Sequence, residues 1–261
     1  MSRDLPDYSP YELMTVLLAR DFRDGEIGYG GGASNEIPMA ACMLAQKLHA
    51  PNLTFVTPCG SVNAHPTALH RDGKDCRFLR GVEAVLNLVE TVEMSENGKV
   101  GFFCYQGMQI DQFGNFNLHY IGDPKAPRMR GPGLVNLSHT VRSNRTYLYP
   151  TEHTRRRLVE RVDFISAPGY INGPGTRERL GMTGAGPCLC ISPLAVFDFH
   201  EGRMRLRSIH EWATLEQVLD NMGFQPVMPE EPVDITMPPT EEELRILREE
   251  VDTTGVLRGM G

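Results

Sequence analysis

The chain has 261 residues, 41% of them hydrophobic and 23% charged, with a formal net charge of −7. That length suits one large domain or two small ones with a substantial buried core. The acidic balance argues against general nucleic-acid binding, so an anionic ligand would have to be met by local cations or helix N-termini. The sequence holds no unbroken apolar run long enough to cross a bilayer, and its opening residues do not read as a basic-then-apolar leader. Neither a membrane nor export is therefore expected. The 6 cysteines are scattered, and Cys188-x-Cys190 is too close for the usual paired zinc spacing. No metal site is expected, and the thiols read as reduced, in a cytoplasm.

Ser9-Pro10-Tyr11-Glu12 predicts a helix start, with Ser as cap and Pro in the first turn, closing at Asp24-Gly25. A strand over Glu26–Tyr29 then leads through Gly30-Gly31-Gly32-Ala33-Ser34-Asn35 into a helix over Ile37–Leu48. Strand, glycine loop and helix have the shape of a phosphate cradle, and equally of a tight turn that lets a helix pack on its strand. The second strand, Thr54–Thr57, ends in Pro58-Cys59-Gly60-Ser61. Cys59 reads either as a thiolate nucleophile or as a buried strand-end cysteine. His65 and His70 follow as candidate bases, although isolated histidines more often serve the surface or the core.

Cys76–Val92 reads as an apolar strand–helix–strand region with Leu79, Val82, Val85, Leu86, Leu88 and Val89 as core candidates. Val100–Tyr105 predicts a buried strand that ends at Gly107, where bare backbone is exposed to a ligand. Gln109 and Asp111 follow, alternating with Met108 and Ile110, before a Gly114-Asn115 turn. A strand that delivers a glycine and then a polar cluster suits a site where backbone N–H groups face a ligand.

Ile121–Lys125 is rich in Gly and Pro and reads as a long surface loop. Lys125, Arg128 and Arg130 make it the most basic of the functional-looking loops, suited to an anion or simply solvated. Gly131–Leu137 predicts a glycine turn into a helix, Tyr147–Pro150 a strand, Thr151–Arg157 a basic helix start and Val162–Ser166 a further strand. Arg177-Glu178-Arg179 reads as a local ion-paired group. Two late strands (Pro187–Ser192, Ala195–Phe199), a third at Met204–Leu206 and a capped helix from Thr214 follow. A Pro-rich acidic linker (226–239) precedes a terminal helix (240–252). The alternation of strands and helices predicts an α/β fold with a mostly parallel sheet flanked by helices.

Three segments, in order, resemble family I CoA-transferases of the glutaconate CoA-transferase kind, in their small, β-type subunit. They are Gly107-x-Gln109-Ile110-Asp111-x-x-Gly114-Asn115-x-Asn117, then Gly122-Asp123-Pro124-Lys125 through Arg130 to Gly133, then Ser166-Ala167-Pro168-Gly169 through Gly181. The resemblance covers nearly the whole chain. It implies a single CoA-transferase domain over 1–261, an α-type partner subunit, and coenzyme A as part of the substrate with no permanently bound cofactor. It implies Gly107 and Gln109 as catalytic residues, and Gly30, Gly31, Gly32, Ser34, Asn35, Asn115, Asn117, Lys125, Arg128 and Arg130 as contacts for the substrate and its coenzyme.

One departure matters. The family carries a glutamate at the end of the second strand, which attacks the thioester and becomes a glutamyl-CoA thioester. Here that position falls on Pro58 or Thr57, and no Asp or Glu lies anywhere from Leu53 to Arg71. Cys59 is the tempting substitute. Three functions therefore compete: a non-transferase acyl-CoA enzyme (a hydrolase, including C–C hydrolysis, or a decarboxylase), a CoA-transferase, and a non-catalytic effector-binding subunit.

Overall fold

The computed structural model describes residues 7–30, 35–72, 75–133 and 140–260. The chain divides into two compact units, 1–104 with 237–261, and 105–236.

In the first unit the order is helix α1 (Pro10–Asp21), strand β1 (Ile27–Gly30), helix α2 (Glu36–Leu48), β2 (Thr54–Val56), β3 (Ser61–Val62), β4 (Ala84–Val85), helix α3 (Leu88–Glu96) and β5 (Phe102–Tyr105). β1 pairs in parallel with both β2 and β5, and antiparallel hairpins add β3 and β4 at the edge. α1 starts as expected: the Ser9 hydroxyl accepts from the Glu12 N–H at 3.1 Å, and the Glu12 carboxylate accepts from the Ser9 N–H at 2.8 Å. A cap of this kind contributes about 1 kcal/mol. Leu13, Met14 and Leu18 of α1 and Ile37 and Leu44 of α2 are buried, and Phe22 stacks on Phe102 with ring centroids 4.2 Å apart. The terminal helix (Glu241–Ile246) and the helical turn after it (Leu247–Val251) return to α1 through Arg20–Glu243 at 2.7 Å and Arg248–Glu12 at 2.8 Å.

The second unit runs β6 (Gln109–Asp111), β7 (Phe116–Asn117), β8 (Tyr120–Asp123), β9 (Ala126–Arg130), β10 (Arg145–Leu148), β11 (Leu158–Val159), the short helix α4 (Thr176–Arg179), β12 (Pro187–Ile191), β13 (Ala195–His200), β14 (Arg203–Ile209), helix α5 (Leu215–Asp220) and β15 (Asp234–Ile235). Its main sheet has the order β15-β14-β13-β12-β10, parallel at β10–β12 and β14–β15 and antiparallel between. β11, β6 and β7 form a separate small sheet, and β8 with β9 a free-standing hairpin. Phe116, Tyr147 and Phe197 fill the core. The α/β class and the parallel pairing beneath the flanking helices agree with the expectation from sequence.

Several local expectations are corrected. Residues 76–92 hold a 3-10 turn, a two-residue edge strand and the start of α3, and Leu79, Val85, Leu88 and Val89 are exposed. The stretch is apolar in sequence, but it lies on a sheet edge where only one side of the chain finds neighbours. Ile121–Lys125 is part of the β8–β9 hairpin, because Pro124 and Lys125 occupy its turn and leave the flanking residues free to pair. The Thr151–Arg157 segment is a turn in which the Thr154 carbonyl accepts from both Arg157 and Leu158 N–H, each at 2.9 Å. Val162–Ser166 is not a strand; only Ala167 bridges, to Phe116. Arg177 is 3% exposed and does not serve a local ion pair; it donates to the carbonyls of Gly184, Pro168, Gly169 and Thr140. The expected helix over Leu134–Leu137 lies outside the described residues. Among the described residues no helix is long and apolar enough to cross a membrane, and no cluster of candidate metal ligands occurs.

Candidate functional site

In the first unit, β2 ends in a turn that hydrogen-bonds to itself. The Thr57 N–H donates to the Ser61 carbonyl at 2.9 Å, the Thr57 hydroxyl accepts from the Ser61 N–H at 3.1 Å, and the Thr57 carbonyl accepts from the Gly60 N–H at 2.9 Å. Gly60 has φ +79°, and a Cβ there would meet the Leu86 carbonyl oxygen at 1.9 Å, so only glycine closes this turn against the chain behind it. Thr57 is fully buried, which leaves Pro58 and Cys59 at the tip, with Cys59 exposed. The buried-cysteine alternative is thereby overturned. His65 is exposed. His70 lies edge-on to Phe78, and burial, followed by the charge of Arg77, lowers its pKa.

The glycine loop is described only at its ends. Gly30 closes β1 opposite Cys104, and Asn35 precedes α2, buried, without capping it through its side chain. Gly31, Gly32 and Ser34 lie outside the described residues.

In the second unit the Gly107–Asn117 motif forms a closed polar network. The Gln109 amide oxygen accepts from Asn117 Nδ2 at 2.7 Å and from the Asp163 N–H at 3.1 Å. Asp111 accepts from the N–H groups of Phe113 and Asn115 and from Asn115 Nδ2 at 3.0 Å. Burial, opposed by these bonds, raises the Asp111 pKa. Asn115 also donates to the Ile171 carbonyl at 2.9 Å, while its own oxygen accepts from the N–H groups of Gly169 and Ile171. That grip holds Ile171, a β-branched residue, at φ +59°. Asn117 donates to the Tyr120 carbonyl and accepts from the His119 N–H. Gly107 has φ +70°, and its carbonyl accepts from Arg157 Nη1 at 3.1 Å.

The sequence-expected polar residues therefore do come together, but Gln109, Asn115 and Asn117 direct their hydrogen bonds inward. Sequence reading missed Arg157, Asp163 and Arg177, whose partners lie many residues away and leave no local signal. Asp111 was in view as part of the motif and is the centre of the knot.

Lys125, Arg128 and Arg130 sit on the β8–β9 hairpin and are all exposed. Among the described residues none of them forms an ion pair. The Lys125 N–H is held by Asp123 at 2.8 Å, which fixes the hairpin turn. These side chains remain available to an anion.

Glycine-closed strand ends, an inward-facing polar knot and a hairpin of exposed cations are what this α/β protein brings to the site. The chain belongs to the Coenzyme A transferase family, whose family model matches residues 11–221. It is 28% identical over 259 residues to the B component of glutaconate CoA-transferase from Acidaminococcus fermentans, covering 95% of this chain and 94% of the relative. The crystal structure of that glutaconate coenzyme A-transferase superposes with a TM-score of 0.85 at 26% identity, over 97% of this chain and 98% of the other. The B component of 3-oxoadipate CoA-transferase from Pseudomonas knackmussii is 30% identical over 244 residues, covering 92% of each chain. The cholesterol ring-cleaving hydrolase IpdB subunit of Rhodococcus jostii is 32% identical over 148 residues, 55% of this chain and 56% of the relative.

Proposed function

We propose that this chain is the β-type subunit of a heteromeric enzyme that acts on an acyl-CoA thioester without forming a glutamyl-CoA intermediate on this subunit: a hydrolase, including C–C hydrolysis, or a decarboxylase. One observation carries the reading. The turn that ends β2 has no carboxylate, and no Asp or Glu occurs from Leu53 to Arg71. A ping-pong transfer through an acyl anhydride needs that carboxylate, and neither Thr57, buried and held in the turn, nor Pro58 can replace it. The ring-cleaving hydrolase subunit among the relatives supports a family member whose chemistry is not transfer.

The second reading, CoA transfer between an acyl-CoA and a carboxylic acid, is favoured by the two transferase relatives, which match over more of the chain. The exposed thiol of Cys59 is the one group at the tip of the turn with nucleophilic chemistry. An α-type partner is expected to contribute the remaining groups, and the Lys125–Arg130 hairpin to meet the phosphates or an acyl carboxylate.

The test is hydroxylamine or borohydride trapping during turnover by the two-subunit enzyme, followed by peptide mass mapping. No label on this chain, with turnover intact, is the expected result. A modified glutamate on this chain overturns the reading. Both reagents would strip an acyl group from a cysteine and leave the thiol unmarked, so an acyl group found on Cys59 in turnover mixtures quenched in acid and mapped without either trap replaces the reading with thiol acylation, still without a glutamyl thioester.

A further inference from the structure

Five carboxylates are buried among the described residues: Glu12, Glu36, Asp111, Glu243 and Asp252. Glu12 and Glu243 hold Arg248 and Arg20, while Asp111 and Asp252 accept N–H groups of their own turns. Glu36 is set apart by its place in the topology. It is 6% exposed and stands in the first turn of α2, ahead of the buried apolar residues Ile37, Met39, Ala40 and Leu44.

β1 and β2 are parallel, so α2 between them runs back against both and starts at their carboxyl ends. Ligands of open α/β sheets bind at that edge. The two strand ends there lie side by side. Gly28 is level with Phe55 and Tyr29 with Val56, and the next step sets Gly30 beside Thr57, where the turn carrying Cys59 begins. Adjacent strands are about 4.8 Å apart. The start of α2 is packed onto the same corner: a Cβ at Gly30 would meet the Phe55 ring at 3.2 Å and Pro38 Cγ at 3.6 Å. Pro38 follows Glu36 by two residues, and the helix is closed from its first turn by the Met39 N–H, which donates to the Asn35 carbonyl at 3.0 Å. The edge where β2 offers no carboxylate is therefore also the edge to which α2 brings one. A glutamate in a first turn complements the helix dipole, but an exposed one does so without the cost of desolvating a charge.

We propose that Glu36 is the general base of thioester hydrolysis. Its carboxylate takes a proton from a water whose oxygen bonds to the thioester carbonyl carbon. The C–S bond then breaks, and the CoA sulfur leaves with the proton that Glu36 returns. The products are the carboxylic acid and free CoA, with water as the co-reactant and no bond formed to the protein. The inference rests on the acyl-CoA reading above and deepens it: it selects hydrolysis of the thioester and puts the base on this chain, on α2 instead of on the strand end.

The experiment uses the two-subunit enzyme and a panel of CoA thioesters with straight-chain, dicarboxylic and 3-oxo acyl groups, read by release of free thiol. Glu36→Gln, equal in size, should lower kcat a hundredfold or more, the usual worth of a positioned base, with KM and the urea midpoint little changed. Glu36→Ala should be as slow, and formate added to it should restore turnover at least tenfold, saturably. In H2(18)O the heavy oxygen should enter the released acid and not Glu36. Turnover by Glu36→Gln within threefold of the unmodified enzyme overturns the proposal alone. So does a loss that formate does not restore, or failure of both variants to fold, since either gives Glu36 a structural role. Heavy oxygen in Glu36 after one turnover would make it a nucleophile and overturn the acyl-CoA reading's exclusion of a glutamyl intermediate as well. Release of CoA from no thioester by the unmodified enzyme would overturn the acyl-CoA reading itself, and this proposal with it.

Discussion

The turn after β2 and the motif after β5 both look like active-site material in sequence, yet they handle their polar groups in opposite ways. Thr57–Ser61 closes through backbone bonds of its own and one from Leu86, and leaves Cys59 exposed. Gly107–Asn117 carries far more functional groups, and its side chains bond to one another and to the 163–171 loop. Dense polar sequence is thus not the same as available chemistry. A buried amide must find partners or lose about 1–3 kcal/mol, and once Gln109, Asn115 and Asn117 have found theirs, the motif serves as a clasp. What it clasps is the base of the hairpin and the strained Ile171 loop.

The contrast breaks most sharply at Asn115. Asn115→Ala removes donors to Asp111 and Ile171 and the acceptor for Gly169 and Ile171, from a side chain that is itself buried. With several orphaned groups and Ile171 released from its left-handed conformation, the expected loss is about 4 kcal/mol or more. Urea unfolding measures it, and a loss below about 1 kcal/mol would mean the clasp is not structural.

A second closed network in the same unit should respond to pH. His153 bonds to the Ser192 hydroxyl and the Val218 carbonyl, and His210 to Thr236 and the Ser192 carbonyl. In both cases burial lowers the pKa, for His210 to about 4. Each ring is neutral when folded, whereas the unfolded chain binds a proton below about pH 6.5. Stability is therefore fully present above pH 6.5 and is lost as pH falls toward 4. The His210 contribution alone is about 3 kcal/mol across that window. Urea midpoints at pH 7.5 and 4.5 check the sign, and His210→Gln should flatten the dependence.

Gly60 tests the open turn as Asn115 tests the closed one. Gly60→Ala meets both a positive φ and the Leu86 backbone oxygen, and should cost about 2–3 kcal/mol. On the hairpin, Lys125→Ala should leave stability within about 0.5 kcal/mol while weakening acyl-CoA binding by about tenfold, the loss of one charge-assisted contact. Unchanged binding would return Lys125 to the solvent.

The fold was legible where local rules decide it. The Ser9 and Thr240 caps, the strands around Tyr29 and Phe103 and the Pro187–Phe199 pair follow from capping residues and β-branched or aromatic runs. It was illegible where distant partners decide. Arg177 read as part of a local ion-paired group, but its carbonyl partners include residues before and after it that no periodicity connects. Leu88 and Val89 looked like core, but their side of α3 stands exposed. The candidate site divides in the same way: Cys59 and the hairpin cations could be named from sequence, whereas the inward turn of Gln109 and Asn117 depends on Asp163 and Ser166, some fifty residues on.

The smallest expected effect is the most informative about the open turn. Cys59 is exposed, and the bonds that shape its turn run through Thr57, Gly60 and Ser61. Cys59→Ala therefore leaves those bonds in place at an exposed position, and should change unfolding free energy by less than about 0.5 kcal/mol. A larger loss would mean that the thiol is a packing element and that the turn is less open than its exposure suggests. With stability unchanged, the kcat/KM of the two-subunit enzyme reads the chemistry alone. Retained turnover is the outcome expected of an enzyme that makes no covalent intermediate on this chain. A fall of a hundredfold or more in the folded variant, restored in part by Cys59→Ser, would make position 59 the acyl acceptor and place the nucleophile on the tip of the turn, beyond the two positions at which the sequence aligns the family's glutamate.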